Sequence, residues 1–154
     1  MTYSEADFER LSWRDCRLWG VAFHAGGATE LASELVLDID FIVERIDGSE
    51  GKTKKVRVAP ASLVFQEVTD LRIGLDWGTS GFPLSINPPL IDSIERESVP
   101  DRMVYPARPY YRWQIRCSWP AGAEIVFKSV GFTQTLRAEP VVTGAQYLPF
   151  SQRG

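Results

Sequence analysis

From Glu34 to Glu44 the chain alternates without a break. Leu35, Leu37, Ile39, Phe41 and Val43 take one set of positions, and Glu34, Val36, Asp38, Asp40, Ile42 and Glu44 take the other. An extended strand sends successive side chains to opposite faces, whereas a helix would scatter the same residues around its axis. A strand with one apolar face must bury that face against a second layer, so this segment commits the chain to a sheet with a core on one side. Asp47-Gly48-Ser49-Glu50-Gly51 then supplies turn chemistry. Lys54 to Ala59, with Val56 and Val58 on one face, is expected to run back antiparallel as a hairpin.

The rest of the chain repeats this period. A short helix over 4–12 is expected first, with Ser4 as cap, Asp7 three residues on, and Phe8 and Leu11 on one face. Cys16, Leu18, Gly20 and Ala22 then alternate with Arg17, Trp19, Val21 and Phe23, and Ala25-Gly26-Gly27-Ala28 forms a turn. After Pro60, Ser62 to Val68 reads as a strand, as does the alternation of Leu71, Ile73, Leu75 and Trp77 with Arg72, Gly74 and Asp76. Pro83, Pro88 and Pro89 make Phe82 to Pro89 an irregular crossing. Ile91 to Ser98 is a further strand, followed by Tyr111 to Trp119, whose Tyr111, Trp113, Ile115, Cys117 and Trp119 face inward. Glu124 to Leu136 is extended and bent near Gly131.

These elements predict a mainly β protein: an antiparallel β-sandwich or partly open barrel of about eight strands with one short N-terminal helix. Its 154 residues form one domain, with a β core over 15–137 and a partly packed tail over 138–154. The acidic start and the absence of a long apolar run speak against a secretory leader or a membrane span. Cys16 and Cys117 read as buried free thiols, which places the chain in the cytoplasm. A net charge of −3 gives no electrostatic footprint for nucleic acid.

Few residues nominate chemistry. His24 is the single histidine, no phosphate-binding glycine loop is present, and no cofactor is expected. Asp38 and Asp40 lie two residues apart on one face, about 7 Å along the strand. Such a pair serves as an acid/base couple or cation site, or simply as a solvated sheet face whose carboxylates pair with neighbouring arginines. Arg112 and Arg116 flank Gln114 on the outer face of another strand. Tyr105, Arg108 and Tyr110 stand in a proline-rich loop with the aromatic and arginine content of partner-facing loops. The partner-binding set is thus Tyr105, Arg108, Tyr110, Arg112, Arg116, Asp38 and Asp40.

Leu11-Ser12-Trp13-Arg14-Asp15-Cys16, together with Glu34-Leu35-Val36-Leu37-Asp38-Ile39-Asp40, resembles small uncharacterised bacterial β-rich proteins, some of them immunity proteins that neutralise the toxins of rival bacteria. The resemblance covers the N-terminal third and implies a cytoplasmic module that acts by covering a partner; it transfers no functional residue. The reading it joins is a non-enzymatic domain that binds a protein or itself through an exposed sheet face or loop. The alternatives are a hydrolase or small-ligand binder built on Asp38 and Asp40 with Arg112 or Arg116, and a structural homo-oligomer joined by edge strands.

Overall fold

The alternating segment lies within β3 (Glu34–Ile46), which pairs along most of its length with β4 (Lys55–Gln66), from Leu35 opposite Phe65 to Ile46 opposite Lys55. The structure, a computed structural model, describes residues 1–26, 33–46, 54–81, 85–99, 109–145 and 147–153. The turn at Asp47 to Gly51 falls outside them. The other strands are β1 (Thr2–Ser4), β2 (Arg17–His24), β5 (Thr69–Gly74), β6 (Leu90–Ser98), β7 (Tyr111–Trp119), β8 (Glu124–Ser129), β9 (Gly131–Leu136) and β10 (Val141–Thr143). They form one antiparallel sheet in the order β1-β9-β4-β3-β2-β6-β7-β8-β5, with β10 also on β4. Among the described residues ten strands stand where about eight were expected.

This sheet curls over without closing into a barrel. Val130 alone separates β8 from β9, so one extended segment belongs to both distant parts of the sheet. The inner faces meet in an aromatic core: Phe65 of β4 lies 5.0 Å from Trp113 of β7 and 4.7 Å from Phe127 of β8, and Trp113 lies 5.9 Å from Phe132 of β9. Leu35, Leu37 and Ile39 are fully buried beneath it, as their alternation requires.

Pro60 does not divide two strands, as the sequence reading had it, but sits inside β4. Its carbonyl accepts from the Arg137 N–H at 2.8 Å, so its nitrogen also points away from β3. On that side β9 ends at Ala61 and β10 begins at Val58, and the missing N–H falls in the gap between them. At the N-terminus Ser4 does cap a helix, but of 3₁₀ type over Glu5–Arg10. The Ser4 hydroxyl accepts from the Ala6 N–H, and the Asp7 carboxylate accepts from the Ser4 N–H at 2.9 Å. That bond, then Arg10, holds the Asp7 carboxyl below its ordinary range.

A one-residue bulge at Trp19 reverses the faces of β2. Leu18 lies opposite Ile39 on the core side, but Gly20 lies opposite Asp38, and Val21 and Phe23 lie opposite Leu37 and Leu35. Continuous alternation would have put Gly20 and Ala22 on the core side; the extra residue puts Val21 and Phe23 there instead. Trp119 departs from expectation too. It ends β7 beyond the core, ahead of the cis Trp119–Pro120 bond, and is 44% exposed, whereas Trp113 is fully buried. Trp77 follows the end of β5 and is half-buried.

Candidate functional site

Asp38 and Asp40 share the outer face of β3, where a solvated surface was expected; the Asp38 side chain is 40% exposed, but Asp40 is covered. Asp40 is fully buried. Its Oδ2 accepts the Trp19 indole N–H at 2.8 Å and the Leu148 backbone N–H at 3.0 Å, and its Oδ1 pairs with Arg153 Nη1. Arg153 Nη2 bridges to Asp38 Oδ1 at 2.5 Å, where Arg137 Nη2 also arrives at 2.5 Å. The Arg153 guanidinium stands 4.8 Å from the Trp19 ring, and that of Arg17 lies 3.5 Å from the Tyr147 ring. Two carboxylates and an aromatic plane suit a guanidinium. The polar tail, expected to pack in part, therefore brings Leu148 and Arg153 into burial and clamps the C-terminal segment to the sheet.

Arg112 and Arg116 do not meet this cluster, because β2 and β6 intervene between β3 and β7. Arg112 pairs with Glu97 at 3.7 Å, and Arg116 donates to Gln114 Oε1 at 3.2 Å. Gln114 in turn donates to Glu124 at 2.9 Å. Strand order brings two further cations to this face, Lys128 and Arg72, which stand outside the partner-binding set expected from the sequence. Lys128 lies directly opposite Arg112, and Arg72 lies opposite Val126. The Tyr110 hydroxyl forms a 2.6 Å hydrogen bond with Thr69 at the start of β5. Tyr105 and Arg108 lie outside the described residues.

The second feature is a split in the sheet. Past Arg17 opposite Leu90, and the Leu18 N–H bonded to the Pro89 carbonyl at 2.9 Å, β2 and β6 diverge. From Gly20 to His24 the strand has β3 on one side and no pairing partner among the described residues on the other. A groove of about 340 Å³ opens there, lined by Trp19, Val21, Leu75, Trp77, Ile86 and Pro88 among others, with no charged residue among the described ones in its wall. Phe23 is 65% exposed and Ile86 64%. The bulge at Trp19 creates this apolar rim by turning Val21 and Phe23 toward the inner side at the place where the opposing strand has left.

Cys16 and Cys117 are free and buried. Burial pushes the Cys16 thiol up to about 12; burial, then the Asp92 charge, pushes that of Cys117 up to about 11. Since the thiolate is the reactive species, neither is expected to react with a thiol-specific reagent at pH 8 in the folded protein. Both should react within seconds in denaturant, and rapid native labelling of Cys16 would contradict the packing described here. Among the described residues no group of His, Cys, Asp and Glu is arranged to hold a metal, and no helix is long and apolar enough to cross a membrane.

Fold and surface together define an open, curled antiparallel β-sheet with a clamped C-terminus, a charged outer face and an apolar split. Set against protein-family models, curated protein sequences and solved structures, the chain matches none.

Proposed function

We propose that this protein is a non-enzymatic binding module that receives an extended segment of a partner protein along the free edge of β2. The observation that carries the reading is this edge, which from Gly20 to His24 has no pairing partner among the described residues on the side of the groove. Natural sheets protect exposed edges with lysine, proline or a covering loop, yet Trp19 to Phe23 carries no charge and no proline. An added strand pairs its backbone with β2 and sets alternate apolar side chains into the groove beside Val21, Trp77 and Ile86. The occupant that fits is thus an extended segment with uncharged, alternating apolar residues. Such a module acts by covering its partner, the mode that the resemblance to immunity-like proteins implies. The two unpaired thiols favour a reducing, cytoplasmic setting. For Asp38 and Asp40 to serve in hydrolysis, Arg153 would first have to leave them.

Selection from a displayed peptide library tests this reading. Enriched sequences should show period-two apolar patterning, and Phe23→Lys should weaken their binding by about tenfold or more, as a charge placed on an edge strand blocks pairing. Phe23 is mostly exposed, so thermal unfolding should move little. A selection whose binders lack that pattern, or bind Phe23→Lys equally well, would sink the proposal. Concentration-dependent dimerisation abolished by Phe23→Lys would identify a second copy of the chain as the occupant and overturn the heterologous reading.

A further inference from the structure

On the outer face of β5, β8 and β7, away from the groove beside β2, the geometry points to a binding site for a phosphate monoester. Arg72, Arg112 and Lys128 line one groove of about 490 Å³, floored in part by Val126. Three strands each contribute one cation. Arg112 and Lys128 are direct cross-strand partners, like charges set side by side, and each has a carboxylate at its flank, Glu97 and Asp70.

Arg72 reaches this face through a specific distortion. Thr69 lies opposite Lys128 and Arg72 opposite Val126, so three steps along β5 match two along β8. The extra residue is accommodated with Asp70 at φ 53°, a left-handed conformation uncommon outside glycine. In an unbroken ladder Leu71 would oppose Val126 on the outer face and Arg72 would turn inward. The bulge instead packs Leu71 against the core and places Arg72 outside with Lys128 and Arg112.

The carboxylates nearby pair two of these cations and leave the third, Arg72, outside any ion pair with a described residue. Glu124 is engaged by Gln114 at 2.9 Å, Asp70 by Lys128 at 3.3 Å, and Glu97 holds Arg112 at 3.7 Å from the far side. Arg72 has no ion pair or hydrogen bond with a described residue. Among the described residues the groove wall holds three cations and two carboxylates, Asp70 and Glu124, with Glu97 outside it on Arg112, in a protein whose net charge is −3. A planar guanidinium offers paired N–H donors to an oxyanion, and two guanidinia with an ammonium suit the two charges of a phosphate monoester better than the single charge of a carboxylate.

The test is titration of the ¹⁵N-labelled protein with inorganic phosphate, following the Nε–H signals of Arg72, Arg112 and Arg116, with acetate as the comparison anion. Saturable shifts at Arg72 and Arg112, with affinity in about the millimolar range for an open site, are expected with phosphate and not with acetate. Arg72→Ala should weaken binding about tenfold, since one charge-assisted pair is lost. Arg116→Ala, on the same face but outside the groove, should change it less than about twofold. Glu97→Gln, which releases Arg112, should tighten binding. Absence of saturable shifts, equal shifts with acetate, or equal weakening by Arg116→Ala would each overturn the assignment. A phosphoserine peptide that shifts the same signals more strongly than inorganic phosphate would place the phosphate on a polypeptide; equal response would assign the site to the free anion.

Discussion

Asp40→Ala is expected to remove about 3 to 5 kcal/mol of folding stability, the range for breaking a buried ion pair by deleting one partner. The carboxylate is fully buried and serves three donors at once: the Trp19 indole, the Leu148 amide and the Arg153 guanidinium. Alanine leaves the first two without an acceptor and the third with Asp38 alone, and each unsatisfied buried group costs about 1 to 3 kcal/mol. The measurement is urea unfolding, with a lowered midpoint and an unchanged slope. Arg153→Met should cost a comparable amount by stranding Asp40. The double variant Asp40→Leu, Arg153→Met should recover much of the loss, because the net worth of a buried pair over an apolar replacement is small. A loss below about 1 kcal/mol in both single variants would mean that the C-terminal segment is not clamped as described.

The same cluster marks how far the sequence could be read. Alternation in β3 correctly assigned Leu35, Leu37 and Ile39 to the core and put Asp38 and Asp40 together on the opposite face. It could not say what lies on that face, because Arg153 is 113 residues away from Asp40 and nothing in its local pattern distinguishes it from a solvated terminal arginine. Periodicity reports sides of a strand; it is blind to partners brought by topology. Bulges are the second blind spot. Arg17 to His24 reads as an unbroken alternation, yet one extra residue at Trp19 exchanges its faces and opens the groove beside Val21. Likewise Arg112 was legible as an outward cation, whereas its position opposite Lys128 required the order of β7 and β8. Pro60 misled for the converse reason: a proline is tolerated within a strand when its nitrogen faces a gap, and the gap between β9 and β10 is a property of the assembled sheet.

Trp113→Ala is expected to be as damaging as loss of Asp40, by a different physical route. Trp113 is fully buried, with Phe8, Phe65, Tyr111, Phe127 and Phe132 around it at ring-centroid distances from 5.0 to 6.5 Å. Replacing a buried Trp by Ala costs about 3 to 5 kcal/mol in lost transfer energy and cavity. Against a total stability of about 5 to 15 kcal/mol this approaches global unfolding. The indole also donates to the Ser129 carbonyl at 3.1 Å, while the Ser129 hydroxyl reaches the carbonyls of Gln66 at 2.5 Å and Gly131 at 3.0 Å. The side chain thus braces the point where β8 passes into β9 and the two faces of the sheet are joined. Trp113→Phe separates the contributions, since it keeps most of the ring contact and deletes the donor. It should lower the thermal midpoint by only a few degrees, against roughly 10 °C or more for Trp113→Ala, at about 2 to 4 °C per kcal/mol for a domain of this size. Equal losses in the two variants would show that the hydrogen bond to Ser129, and not aromatic packing, holds the curled sheet together.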